Sequence, residues 1–388
     1  AGAAGARGTP RPPPRPRAPT PSTPVATPSA QPVRAPTFVA ATWDAQVDEL
    51  AGSLLPSAAT ERAVERLACR VQRTLRGLVP EAEVVGFASG ALARGRAFGV
   101  AVPDVDIVVS CDPKALAARL TSDRGARQRM EGRQLQKTAL RAFTDRLVGT
   151  GDFKFRRSAF GAEEPKVTLL AAAAVGGCGD AEAIPLDLAI NCPTPLHNAA
   201  LLTECSGFDR RARALILLVR RWARDRGICH AAKGHLSPYC WTLLTIFFLQ
   251  AGDENGAQII PPLEQFKASS RLAGGAGAEA GTAAAPAAEA AAAAASAKSV
   301  GELLRGFFAF YGERFDARAE AVSVRLGRRS PPGLALPLHV VLREDGSTVG
   351  VAPSIEDPFD AARNLAAGLS EHGLERLRAE LARSAALL

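Results

Sequence analysis

The nine residues VPDVDIVVS, 102–110, restrict the fold more than any other stretch of this 388-residue chain. The run is rich in β-branched side chains and carries two aspartates one residue apart. A strand hides one face and presents the other with a period of two. Val105, Ile107 and Val109 therefore point into a core, and Asp104 and Asp106 stand side by side on the opposite face. Two carboxylates that close repel one another, so the pattern calls for a cation. An isolated pair of this kind also suits a strand's solvated face, and the choice rests on what surrounds it. If repulsion dominates, removing one of the two carboxylates leaves stability unchanged or slightly raised.

A second short strand is written in IPLDLAIN, 184–191. Leu186, Leu188 and Ile190 share one face and Asp187 takes the other. Three aspartates on adjacent strands make a site for hard divalent cations. Mg²⁺ prefers oxygen ligands and binds through one or two carboxylates plus substrate phosphates. Two such ions clamp the attacking and leaving oxygens of an in-line phosphoryl displacement. Just upstream, EVVGFASGALARG, 83–95, reads as a strand entering a turn of small residues. Backbone N–H groups and a hydroxyl at such a turn can hold a triphosphate.

Composition divides the chain. Residues 1–36 contain 11 of the 28 prolines and five arginines without one acid. Such a segment cannot bury enough apolar surface to offset its ordering entropy, and it reads as a disordered Pro/Arg-rich arm. It loosely resembles an organelle transit peptide, but its prolines oppose the amphipathic helix those peptides need. The net charge of +8 suits a polyanionic partner, although much of the excess lies in this arm. Residues 271–298 form an Ala-rich stretch without an apolar stripe, read as a surface insertion within a folded domain. The seven cysteines are scattered without a CxxC pair, which argues against zinc and against a disulfide framework. The expectation is reduced thiols in an intracellular protein, cytoplasmic or else nuclear or mitochondrial. No apolar run has the length of a membrane span, and no membrane partner is expected. Residues 43–77 read as helix, 83–110 as strand–turn–strand, 113–148 as helix, and 166–170 and 184–190 as strands. Residues 198–250 and 299–317 read as helical.

The glycine/serine turn, the spaced aspartates and the third aspartate are together similar to the DNA polymerase β-like nucleotidyltransferases. LILLVRRWARDRGICHAAKGHLSPYCWTLLTIFFLQ, 215–250, resembles the central helical segment of noncanonical poly(A) polymerases and terminal uridylyltransferases. LLRGFFAFYGERFDARAEAVSVRLG, 303–327, and SIEDPFDAARNLAAGLS, 354–370, resemble the poly(A)-polymerase-associated module of that family. The three blocks follow the family's order over roughly residues 80–370.

The resemblance implies roles residue by residue. Asp104, Asp106 and Asp187 fall on the catalytic metal ligands, with Asp187 also helping to activate an RNA 3′-hydroxyl. Ser89 and Gly90 fall at the phosphate-binding turn, where Ala88 replaces a glycine. Arg220 and Arg224 fall on two basic residues, usually lysines, that hold the triphosphate; their i, i+4 spacing gives them one helix face. Ser237 falls on one of two family serines and Pro238 on the other. Read from the residues alone, Ser237 and Pro238 are the N-cap and first residue of a helix. Tyr239 matches a base-stacking tyrosine. Asn191 and Cys192 fall where the family often has two asparagines, one of which touches ribose. Glu356 and Asp357 fall near the base-binding edge, although acids beside Asp-Pro also shape turns. Arg363 replaces the histidine typical of uridylyltransferases, and Asn364 matches the family. An arginine donates and cannot accept hydrogen bonds, so the uracil reader is altered.

The expected fold is α+β in two lobes, a small mixed-sheet nucleotidyltransferase catalytic domain and a mainly helical central domain. The catalytic domain spans 80–195. Residues 37–79 join the central domain of 196–388, which contains the associated module. The implied activity is template-independent transfer of AMP or UMP from an NTP to an RNA 3′ end, with adenylyl weakly favoured. Mg²⁺ is the implied cofactor, with Mn²⁺ as a substitute. The partners are an RNA 3′ end, ATP or UTP, and an RNA-binding partner protein, since no dedicated RNA-binding domain is visible. The rival readings are a catalytically weak RNA-binding scaffold of the same fold and a nucleotidyltransferase acting on a small molecule or protein.

Overall fold

The computed structural model describes residues 36–92, 96–97, 100–101, 103–121, 132–161, 163–177, 183–252, 258–266, 298–329, 336, 339–343 and 345–388. Residues 1–35 of the Pro/Arg-rich arm and 271–297 of the Ala-rich stretch lie outside the described residues. Two hydrophobic cores divide the rest, one under a mixed sheet and one among helices.

The expected helix over 43–77 is two helices, α1 (Trp43–Leu54) and α2 (Ala58–Leu75). Leu55 precedes Pro56 and is extended, at φ −66° and ψ 136°, because proline crowds the helical conformation of its predecessor. Ser57 then caps α2 by accepting from the Thr60 N–H at 3.2 Å. The break separates the lobes. Val47, Ala51 and Leu54 of α1 enter the helical core, whereas Val64, Leu67, Val71 and Leu75 of α2 enter the sheet core. The boundary expected at residues 79–80 therefore falls between α1 and α2, and α2 belongs to the catalytic lobe.

The sheet contains β1 (Glu83–Ala88), β2 (Val105–Ser110), β3 (Phe153–Ser158), β4 (Lys166–Ala171) and β5 (Ile184–Ile190), in the order β1-β2-β5-β4-β3. Only β2 and β5 run parallel; the other neighbours are antiparallel. Strand β3 is absent from the sequence reading, because FKFRRS is polar and lies at the sheet's edge. Helices α3 (Pro113–Leu120) and α4 (Gly132–Val148) contribute to the core that α2 also fills. Gly86 lets α2 come this near, since a Cβ there would meet Val64 Cγ1 at 2.7 Å and Ile107 Cδ1 at 2.9 Å. The alternation expected in β2 holds for Val105, Ile107 and Val109, and Val108 on the other face is buried as well. Helix α5 (Thr194–Phe208) packs against β1 and β2 and joins the two lobes.

The central lobe is built on α6 (Arg210–Asp225), α7 (Pro238–Ala251), α8 (Val300–Ala309) and α9 (Glu371–Leu387). Trp241, Phe247, Phe307, Phe308 and Phe310 are buried at its centre. Strands β6 (Ala321–Val322), β7 (His339–Leu342), β8 (Thr348–Ala352), β9 (Ser354–Asp357) and β10 (Asp360–Asn364) line one side. Strands β6, β9 and β10 form a three-stranded sheet with β9 in the middle and Arg363 on β10, and β7 pairs with β8 in a separate two-stranded sheet.

Candidate active site

Strand register brings the carboxylates together. Asp106 on β2 and Asp187 on β5 are direct partners across the parallel pair, and Asp104 lies just ahead of β2. Thr168 on β4 is the next partner of Asp187, and its Oγ1 donates to Asp187 Oδ1 at 2.5 Å. Lys166 Nζ lies 2.5 Å from Asp187 Oδ2. Lys166 and Thr168 share the face opposite Val167 and Leu169 by strand alternation, a pattern that KVTLL carries in its sequence alone.

The second lobe closes on these acids from above. Arg224 Nη1 donates to Asp104 Oδ2 at 2.9 Å, and Nη2 holds Asp104 Oδ1, forming a two-pronged fork. Arg220, one turn earlier on α6, places Nη2 4.0 Å from Asp104 Oδ1. The Nε and Nη1 of Arg220 and the Nε of Arg224 are buried without partners among the described residues. The Ser89–Gly90–Ala91 turn sits opposite. Ser89 N–H donates to the Asp104 carbonyl at 2.7 Å, and Ala91 N–H to the Leu54 carbonyl at 2.9 Å. Leu54, Gly90, Ala91, Asp104, Leu217, Arg220, Arg221 and Arg224 enclose a cavity of about 20 Å³, room for roughly one water.

The electrostatics follow from this layout. Burial pushes the Asp104 carboxyl up, but Arg224, aided by Arg220, outweighs it and holds the group below its ordinary value. Burial raises Asp106 to about 6, with Asp187 and Asp104 adding to it and Lys166 opposing. Asp187 draws the Lys166 ammonium upward against its burial. The outer two acids are thus neutralised by basic side chains, while Asp106 between them is not.

The nucleotide-side residues divide into two groups. Ser237 caps α7 as its sequence implies, accepting from the Cys240 N–H at 3.1 Å. Tyr239 is buried with its hydroxyl unpartnered among the described residues, and burial raises its phenol, with Asp357 and Glu164 adding to the shift. Arg363 Nη1 donates to Asp357 Oδ2 at 3.1 Å and to Glu164 Oε1 at 3.3 Å, and Nη2 lies 3.1 Å from Glu163 Oε2. Asp357 also accepts from the Phe359 N–H at 3.1 Å, so it shapes the turn as well as meeting Arg363. These residues share one environment.

Asn191 and Glu356 do not join them. Asn191 lies four residues beyond Asp187, about 13 Å along the strand. Its amide receives the Cys111 N–H and donates to the Cys111 carbonyl, both at 2.9 Å, and its φ is +47°. Both ends of the side chain are engaged in joining two strand ends, away from the carboxylates. Glu356 is fully buried, accepting from Ser323 Oγ and from Arg325 Nη2 at 2.7 Å. A carboxylate saturated by an internal ion pair has no face left for a base. Asn364 is likewise engaged with the Ile355 and Ala366 N–H groups. Asn198 on α5, which no sequence motif marks, is buried, with Oδ1 unpartnered among the described residues.

A mixed sheet presenting paired aspartates to a helical lobe with a basic face defines a nucleotidyltransferase. Comparison with known proteins agrees. Residues 299–363 match the model of the Cid1 family of poly A polymerases. The chain is 25% identical over 304 residues to terminal uridylyltransferase cid1 of Schizosaccharomyces pombe, covering 74% of this chain and 69% of the relative. It is 31% identical over 149 residues to poly(A) RNA polymerase gld-2 of Caenorhabditis elegans, and 28% over 192 residues to human terminal uridylyltransferase 7. Those spans cover 38% and 48% of this chain but only 13% and 12% of the two relatives. A solved structure of a Cid1 poly(U) polymerase mutant bound to MgATP superposes with a TM-score of 0.56 at 20% identity, over 89% of this chain and 94% of that one. A cytoplasmic RNA terminal U-transferase gives 0.53 at 19% identity, over 88% and 92%. In sequence and in fold the chain is similar to the noncanonical poly(A) polymerases and terminal uridylyltransferases.

Proposed function

We propose that this protein is a template-independent RNA 3′-terminal nucleotidyltransferase that adds AMP or UMP, using ATP at least as well as UTP. The observation that carries the reading is Asp106 in register with Asp187, with Asp104 alongside, facing the unpaired N–H groups of Arg220. Three carboxylates and a buried, partly unpartnered guanidinium are complementary to divalent cations and to phosphate, respectively.

The donor set suits Mg²⁺, with Mn²⁺ as a substitute. The carboxyl of Asp106 is raised to about 6 by burial and by its neighbours, a repulsion that a cation relieves. Among the described residues no three acidic, histidine or cysteine side chains already converge as a cage. The reason is visible, since Asp104 turns to Arg224 and Asp187 to Lys166 and Thr168. Asp104, Asp106 and Asp187 would hold the ions, and two-metal chemistry would polarise the α-phosphate and stabilise departing pyrophosphate. The chain's own residues do the rest. Asp187 orients the RNA 3′-hydroxyl and draws its proton as the 3′-oxygen bonds to the α-phosphorus. The bond from that phosphorus to pyrophosphate breaks. Arg220 and Arg224 hold the triphosphate in line, and Tyr239 offers a ring for the base. Arg363 only donates, so it cannot accept from the uracil N3–H and does not enforce UTP.

Among the solved neighbours, a Cid1 mutant is bound to MgATP and Cid1 is bound to its short product ApU. The decisive experiment combines purified protein, a short labelled RNA, Mg²⁺ and each NTP in turn, beside an Asp187→Asn control. RNA binding without extension by any NTP would replace this reading with the scaffold one.

A further inference from the structure

One guanidinium joins acids from both lobes. Glu163 and Glu164 lie between β3 and β4 of the sheet lobe, and Arg363 sits on β10 of the central lobe. Arg363 reaches Glu163 at 3.1 Å and Glu164 at 3.3 Å while Asp357 of its own lobe holds it at 3.1 Å. Glu164 is itself fixed, because Thr194 Oγ1 at the start of α5 donates to its Oε1 at 2.5 Å. The burial is graded. Asp357 and Arg363 side chains are 5% and 23% exposed, Glu164 32%, and Glu163 75%. The contact therefore runs from the interior of the central lobe to the rim of the cleft.

The opposite end of the cleft is bridged by Arg224 on Asp104, around a cavity of about 20 Å³. Ligand pockets are typically some 300–1,000 Å³. The space between Asp104 and Arg224 is thus too small for a nucleotide's phosphates unless the lobes part there, and Arg363 with its two sheet-lobe acids is a bond that such parting must break. Buried beside it are the unpartnered Arg363 Nε and Tyr239 hydroxyl.

We propose that Glu163 and Glu164 are positioning residues that act through Arg363 as a clasp across the cleft, closing the sheet lobe over the nucleotide and retaining it. The proposal rests on the cleft being the nucleotide site. Neither glutamate touches the aspartate triad in this role, and the clasp is indifferent to which base it encloses. Because Glu163 lies at the rim, salt weakens the clasp.

The test is the double variant Glu163→Gln/Glu164→Gln, which keeps the side-chain shape and Thr194's acceptor but removes both charges. It is compared with wild type, with Arg363→Met and with the triple variant. Small-angle scattering without RNA reads lobe opening, and the double variant should have the larger radius of gyration. Stopped-flow displacement of a fluorescent ATP reads retention. Dissociation should quicken about tenfold, equivalent to 1.4 kcal/mol, for ATP and UTP alike. Single-turnover extension at saturating NTP should stay near the wild-type rate, which a merely unfolded or misassembled site would not allow. The triple variant should be no worse than Arg363→Met. Wild-type scattering, wild-type dissociation, or effects that add to those of Arg363→Met would each overturn the proposal. Scattering and nucleotide release need no RNA. A protein that opens and releases as described but never extends RNA would refute the tailing function and leave the clasp standing; the converse result would refute the clasp alone.

Discussion

Replacing Asp106 with asparagine should make the protein more stable and inactive at once. The carboxyl of Asp106 is raised from 3.8 to about 6 in the folded state, by burial first and then by Asp187 and Asp104. A folded value above the unfolded one means that folding favours the protonated form. Well below pH 3.8 the group is protonated in both states and contributes no penalty. As pH rises toward 6, the unfolded chain ionises freely while the folded site resists, and the penalty grows until it is complete above the folded value. The shift of roughly two units corresponds to about 3 kcal/mol. Asparagine mimics the protonated acid in size and neutrality. Asp106→Asn should therefore exceed wild type by about 3 kcal/mol at a pH near 7.5 and by about half that near pH 5. Urea unfolding in the presence of chelator, at both pH values, measures the gap. Added Mg²⁺ should narrow it by stabilising only the wild-type triad. A gap that does not grow with pH, or a variant less stable than wild type near neutrality, would refute the account of Asp106 as an uncompensated charge.

Asp104→Ala should abolish tailing and destabilise the fold by about 3–5 kcal/mol, since it strands Arg224 and Arg220 as buried unpaired charges; urea midpoints check it. Arg220→Ala should raise the KM for ATP and UTP alike, about ten- to a hundredfold, because a phosphate contact worth about 1.5–3 kcal/mol cannot sense the base. Selective loss for one nucleotide would contradict that role. In equimolar competition wild type should use ATP at least as well as UTP, and Arg363→His should raise the share of UMP incorporated. Wild-type selection of UTP beyond about tenfold would move base reading to other residues, Asp357 first.

The expectation for Asp104 changed between sequence and structure for an instructive reason. Read along the strand, Asp104 and Asp106 are neighbours that repel, so removing one should be harmless. The fold adds Arg224 from a helix 120 residues later, which turns Asp104 into half of a buried ion pair. Asp106 receives no such partner and alone retains the character that the strand pattern implied for both. The two acids of IEDPFD divide similarly. Asp357 meets Arg363, but Glu356 turns to Arg325 and Ser323 behind it, because successive strand residues face opposite ways.

What the sequence determined by itself is set by local rules. Alternation in VDIVV and PLDLAI placed the aspartates on strand faces, Ser237 announced a helix start, and i, i+4 spacing put Arg220 and Arg224 on one face. Each depends on a few neighbouring residues and on backbone geometry common to all proteins. What only the tertiary structure decided is which charge meets which. Arg224 on Asp104, Lys166 on Asp187, and Arg363 between Glu163, Glu164 and Asp357 depend on how two separately cored lobes come together. Charge pairing is governed by separation in space and by burial, and neither is written in the order of the residues.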